Sequence, residues 1–158
     1  MSESLLEITP VDPRSPEAVE LIHALSEELA LRYDYVTDGA GNFRPEDVLV
    51  ARSAFVIGRT RGRAVACGAF RPLEDKVAEI KRMFIVPEHR GCGYSKAILA
   101  ELERLAKEDG YTTIRLETGY RRPEAIRLYE QSGYSRIPNF GIYVGSEWSV
   151  CFEKQICK

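Results

Sequence analysis

A chain of 158 residues is one ordinary domain, long enough to bury a core without disulfide or metal staples. Its 44% hydrophobic and 29% charged residues exclude a disordered chain, and no apolar run approaches the ~20 residues of a membrane span. A formal net charge of −2 argues against a phosphate-neutralising face for nucleic acid.

The first residues, Met1-Ser2-Glu3-Ser4, carry neither a basic segment nor an apolar core, so no secretory signal is read and a cytoplasmic protein is expected. Cys67, Cys92, Cys151 and Cys157 form no C-x-x-C pair, and His23 and His89 are the only histidines. No metal site is expected, and the cysteines read as reduced thiols. Residues 5–9 read as a first strand. Ser15-Pro16-Glu17 opens a helix, with a capping hydroxyl, a proline in the first turn and an acid at the positive end. Val19, Ile22, Leu25, Leu29 and Leu31 recur near helical spacing. Tyr33 to Arg44 is an aromatic loop, and Pro45-Glu46-Asp47 opens a short second helix.

Ala54–Arg59 and Ala64–Arg71 read as a hairpin about a Thr60-Arg61-Gly62-Arg63 turn. Val77–Val86 is a long strand that Pro87 ends, since proline cannot donate to a sheet ladder. Ser95–Asp109 is an amphipathic helix with Gly110 beyond its end. Thr112–Thr118 is a strand, a helix runs from Arg122 or Pro123 to Ser132, and Tyr134–Ile137 and Trp148–Lys154 are final strands. Antiparallel strands followed by strand–helix–strand–helix–strand predict a mixed α/β sheet.

The segment Val86-Pro87-Glu88-His89-Arg90-Gly91-Cys92-Gly93-Tyr94-Ser95 connects a strand to a helix. Glycines there allow positive φ and close approach, and the helix N-terminus adds partial positive charge, which together suit a pyrophosphate. There is no G-x-x-x-x-G-K-[ST], and no G-x-G-x-x-G follows the first strand, so neither a P-loop nor a Rossmann site is indicated.

Arg90-Gly91-Cys92-Gly93-Tyr94-Ser95 resembles the acyl-CoA signature [QR]-x-x-G-x-[GA] of the GNAT superfamily of N-acetyltransferases, with Ser95 in place of the usual Gly or Ala. Glu79–Pro87 resembles that family's fourth strand. Ala125-Ile126-Arg127-Leu128-Tyr129-Glu130-Gln131-Ser132-Gly133-Tyr134 resembles its A-I-x-L-Y-x-x-x-G-[FY] helix, with Arg122 where an Asn is usual. The resemblance covers residues 54–154 and implies a GNAT fold. That fold has a mixed sheet of about six or seven strands and about four helices, splayed between its fourth and fifth strands. It further implies acetyl-CoA as cosubstrate, an amine as acceptor, no metal, and one N-acetyltransferase domain over residues 1–158; a homodimer is left open.

By the resemblance, the backbone N–H of Met83 polarises the thioester carbonyl, an oriented donor needing little reorganisation. Met83, Phe84, Ile85, Val86, Arg90, Gly91, Cys92, Gly93, Tyr94, Ser95, Lys96 and Arg122 are the expected cofactor contacts, and Arg121 and Arg122, with Arg127, are candidates for gripping the 3′-phosphate. Glu79, eleven residues before Arg90, is the candidate base, and strand alternation places it with Lys81 and Met83 on one face. Tyr129 is the candidate acid for the departing thiolate. Tyr33, Tyr35, Phe43, Lys81, Glu117, Thr118, Tyr120 and Tyr143 are candidates for the acceptor pocket. Glu117 and Tyr120 suit a cationic amine, and Lys81, or its neighbour Arg82, a carboxylate. Cys92 lies in the phosphate loop and is not a nucleophile. The expected reaction is direct acetyl transfer to a primary amine, small or amino-acid-like, in a ternary complex. A protein acetyltransferase acting on lysine or an N-terminus, and a non-catalytic acyl-CoA-sensing module, are the alternatives.

Overall fold

The computed structural model describes residues 5–33 and 43–157; the side chains of Arg32 and Tyr33 fall outside the description. Seven strands form one sheet: β1 (Glu7–Pro10), β2 (Ala54–Thr60), β3 (Arg63–Glu74), β4 (Val77–Ile85), β5 (Thr113–Gly119), β6 (Ser135–Ile137) and β7 (Ser149–Gln155). Their spatial order is β1-β2-β3-β4-β5-β7-β6, antiparallel throughout except for the parallel β4–β5 pair. Three α-helices, α1 (Pro16–Tyr33), α2 (Tyr94–Glu108) and α3 (Pro123–Gln131), occur among the described residues. The short helix expected at Pro45 is a 3₁₀ turn over Pro45–Val48. This is the mixed α/β architecture that the strand and helix pattern predicted.

The sheet has a core on each face. Ile98, Leu99, Leu102 and Ala106 of α2, with Ala125 and Tyr129 of α3, pack on Val56, Phe70, Ile80, Ile114 and Phe152. On the opposite face Ala18, Leu21, Leu25 and Leu29 of α1 pack on Phe55, Ile57, Cys67, Ala69 and Phe84. The apolar stripe of α1 is therefore rotated from the expected one: Val19 and Leu31 are 49% and 84% exposed, and Ala18 and Leu21 replace them. Small Ala18 lets the helix approach the sheet, which a search for large apolar residues overlooks. Ser15 does cap α1, its Oγ accepting from the Ala18 N–H at 3.4 Å.

Two irregularities in β4 shape the site. The first is a bulge: Cys67 pairs with Phe84 and Ala69 with Lys81, so Arg82 and Met83 together oppose Gly68. Arg82 takes φ of 60° there. One extra residue inverts the alternation, so Ala78, Ile80, Met83 and Ile85 pack toward α2, whereas Phe84 packs toward α1 and Arg82 donates to Ser26 Oγ of α1 at 2.6 Å. The expected common face for Glu79, Lys81 and Met83 is thus broken, and Met83 projects to the other side. A Cβ on Gly68 would lie 2.8 Å from Ile98 Cγ2 and 2.9 Å from Met83 Sδ, so a side chain larger than hydrogen does not fit opposite the bulge.

The second irregularity is a parting of strands. β4 and β5 pair from Val77 with Thr113 to Ile80 with Leu116, and there the pairing stops. Lys81–Ile85 and Glu117–Gly119 continue unpaired with one another, while β5 stays paired with β7 along its whole length.

Candidate active site

The glycine-rich connection follows β4 directly. Pro87–His89 makes a single 3₁₀ turn, and Gly93 caps α2. Gly91 and Gly93 have φ of 81° and 82°, and neither would bring a Cβ within 4 Å of another atom. Glycine is needed there for backbone conformation, and the space above both is open. The first N–H groups of the 15-residue helix α2 lack intrahelical acceptors and carry the positive end of its dipole. Arg90 steadies the connection, donating from Nε to the Ile85 carbonyl at 2.8 Å and from its terminal nitrogen to Glu28 Oε1 of α1 at 2.7 Å.

Beside this loop lies a cavity of about 400 Å³. Its walls include Met83 and Ile85 of β4, Ser95 of α2 and Tyr129 of α3. His89, Arg90, Lys96, Arg122 and Arg127 also line it, against a single acid, Glu124. In a chain of net charge −2 that concentration of basic groups suits a polyanion. Of the expected cofactor contacts, Met83, Phe84, Ile85, Arg90, Gly91, Gly93, Tyr94, Ser95, Lys96 and Arg122 line the cavity, and Val86 and Cys92 do not. Val86 packs between the two cores, and Cys92 is exposed. Arg121 also points elsewhere: its Nε donates to Tyr120 Oη at 3.0 Å and its guanidinium lies over the Trp148 ring.

Tyr129 is 5% exposed, its ring packed 5.7 Å from Tyr134 and 5.9 Å from Phe152. Burial pushes its phenol up to about 12, opposed by the charge of Arg122. It therefore stays protonated, as a proton donor must. Arg122 caps α3 and places its guanidinium 4.0 Å from Glu28 and 3.7 Å from Glu124.

The other face of the parted strands is a buried polar network. Glu79, 2% exposed, accepts from Arg71 Nε at 3.1 Å and from the Tyr143 hydroxyl at 3.0 Å. Lys81 Nζ donates to Tyr143 Oη at 2.7 Å and lies 4.0 Å from Glu79. Burial lowers the affinity of Lys81 for its proton, with the charge of Glu79 opposing. Glu117 accepts from Ser149 Oγ at 2.6 Å, and burial raises its carboxyl. Glu79 lines a second cavity, with Arg71 and Asp47, and not the one that holds Tyr129.

Other expected acceptor residues fall differently. Phe43 is core beneath the Arg82 guanidinium, Thr118 is buried on β5, and Tyr120 is 46% exposed and stacked on Trp148. Tyr35 and the side chain of Tyr33 lie outside the described residues. Arg71, Ser149 and Glu28 went unnoticed in the sequence, because their partners lie 8, 32 and 62 residues away and no local pattern marks them.

Residues 18–134 match the family described as Acetyltransferase (GNAT) family. The chain belongs to that family. The IAA acetyltransferase of Azospirillum brasilense is 33% identical over 103 residues, covering 65% of this chain and 67% of its own. N-acetyltransferase 8 of Mus musculus is 29% identical over 55% of this chain, which spans only 40% of that protein. Among solved structures, an acyl-CoA N-acyltransferase of Klebsiella pneumoniae superposes with a TM-score of 0.81 and 32% identity, over 98% of this chain and 99% of its own. A Salmonella typhimurium acetyltransferase solved with its cofactor acetyl-CoA shares the fold at a TM-score of 0.71 and 18% identity, over 98% of this chain and 96% of its own. Among the described residues no helix is long and apolar enough to cross a membrane.

Proposed function

We propose that this GNAT chain moves the acetyl group of acetyl-CoA onto a small primary amine by direct attack, with both substrates bound at once. The observation that carries this reading is the parting of β4 and β5 beyond Ile80 and Leu116. It stands between the basic cavity with Met83 and Tyr129 on one side and the Glu79–Tyr143–Lys81 network on the other.

The cavity's chemistry fits the cosubstrate: open space over two positive-φ glycines, a helix N-terminus, and basic walls for phosphates. Acetyl-CoA supplies an activated thioester. Arg90, Lys96 and Arg127 take the phosphates with Gly91, Gly93 and Ser95, while the Met83 N–H polarises the carbonyl. Glu117, in the gap, holds the acceptor's ammonium. Both oxygens of Glu79 already accept hydrogen bonds, so Glu79 takes the amine proton through water or through Tyr143 Oη. Tyr129 gives a proton to the leaving sulfur. The burial of Glu79 and Lys81 favours a slender amine over a folded protein surface.

The test is free thiol release from acetyl-CoA with a panel of small amines, amino acids and lysine or N-terminal peptides. Turnover with a small amine is expected. Release with peptides alone would move the chain among the protein acetyltransferases, and tight acetyl-CoA binding without release would leave a sensor.

A further inference from the structure

Arg122 places a positive charge on the wall of the cavity. The residue caps α3, and Tyr129 follows seven positions later, two turns along the same side of that helix. Both side chains line the cavity, with Met83 on the facing strand. The charge of Arg122 is felt by the Tyr129 phenol and by the Glu117 carboxyl of β5, so it acts where the strands part.

The guanidinium is only loosely neutralised. Glu28 of α1 is 4.0 Å away and Glu124 of α3 is 3.7 Å away, both beyond a hydrogen bond. The firm partner of Glu28 is Arg90 of the loop, at 2.7 Å. Among the described residues, Arg122 Nε and Glu28 Oε2 are buried and find no hydrogen-bond partner. The remaining charged groups on the cavity wall, Lys96 and Arg127, are also cationic. A buried cationic donor with no hydrogen-bond partner beside the candidate acid suits a developing anion.

We infer that Arg122 is a catalytic residue that holds the sulfur of coenzyme A as a thiolate when the thioester bond breaks. The inference rests on the acetyl-transfer reading. Arg122 takes the negative charge that the broken carbon–sulfur bond leaves on sulfur. Tyr129 Oη then donates its proton to that sulfur and regains one from solvent. The amine's proton leaves separately on the Glu79 side, so each proton is accounted for.

The experiment is a titration of coenzyme A bound to the full chain. Thiolate absorbance is followed over about pH 6–10, against the same protein holding adenosine 3′,5′-bisphosphate. The bound thiol is expected to ionise about 1–2 pH units below free coenzyme A in the parent. It should return to the free value or above in Arg122→Gln, and stay mostly lowered in Arg122→Lys. Affinity for adenosine 3′,5′-bisphosphate should match between parent and Arg122→Gln within about twofold. A parent thiol that ionises as in free coenzyme A, or an Arg122→Gln protein with the parent's titration, overturns the inference. So does loss of bisphosphate affinity in the variant, which would make Arg122 a phosphate contact. A parent that binds no coenzyme A defeats the acetyl-transfer reading itself, a result separable from the others.

Discussion

Tyr143 donates its hydroxyl to Glu79 at 3.0 Å, across 64 residues of sequence. The same oxygen accepts from Lys81 at 2.7 Å, so one phenol bridges a buried carboxylate and a half-buried ammonium. Burial and the neighbouring carboxylates hold that phenol protonated well above its ordinary range. Tyr143→Phe should leave one oxygen of Glu79 and the Lys81 ammonium short of a partner. A loss of about 1–3 kcal/mol in stability is expected, with a fall in transfer rate. Urea unfolding checks the first and single-turnover transfer the second; a protein as stable and active as the parent would deny the network its role.

Glu117 has the reverse problem, a carboxylate that burial disfavours. Its folded value lies above the unfolded value of about 4.3, so the folded state holds the proton longer. Its contribution to stability is full below the unfolded value and is lost as pH rises through the folded one. Glu117→Gln should abolish that decline. Unfolding midpoints of parent and variant across about pH 4–8 should diverge upward in the variant's favour; a constant difference would contradict the shift.

Tyr129→Phe should lower kcat with little change in KM for acetyl-CoA, because a proton to the leaving sulfur matters only as the bond breaks. The ring contacts with Tyr134 and Phe152 survive, so stability should change by no more than about 1 kcal/mol. Single-turnover measurements keep product release from masking the effect. An unchanged rate over the pH range would leave Tyr129 a packing residue.

Gly93→Val should abolish coenzyme A binding by calorimetry while leaving the circular dichroism of the fold. At φ of 82° a β-branched residue is strained, and relief of that strain moves the N-terminus of α2. Parent-like affinity would remove the loop from the site.

Gly68→Ala addresses the bulge. The added methyl would meet Ile98, Leu102 and Met83 at under 3 Å. Overpacking of that kind typically costs about 1–3 kcal/mol, readable as a lower urea midpoint. Because Met83 is one of the three neighbours, the change should also weaken acetyl-CoA binding, which a purely structural glycine would not do.

The order of elements, the glycine-rich loop and the Tyr129 helix were legible because each is local. Pro87, Gly93 and Pro123 mark their boundaries within a residue or two, and the A-I-x-L-Y pattern places Tyr129 on the buried side of α3. The bulge was not legible: Glu79-Ile80-Lys81-Arg82-Met83 reads as plain alternation, and only the pairing with Gly68 reveals two residues against one. Nor was the state of Glu79. The family resemblance singled it out, but its hydrogen bonds come from Arg71 and Tyr143 on other segments. The stripe of α1 was misread because Ala18 is small, and burial there follows closeness of approach rather than side-chain size.

The bulge and the parting together make the sheet a wall with one window in it. Met83 and Ile85 look out on one side of β4, Glu79 and Lys81 on the other, and the window opens between Ile80 and the strand's end. Under the proposed reaction, donor and acceptor approach that window from opposite sides, and neither stands in the other's doorway. Nothing in such a layout dictates which arrives first. Initial-rate lines that intersect, with each product inhibiting competitively against its own substrate alone, would be the kinetic signature of a wall open from both sides.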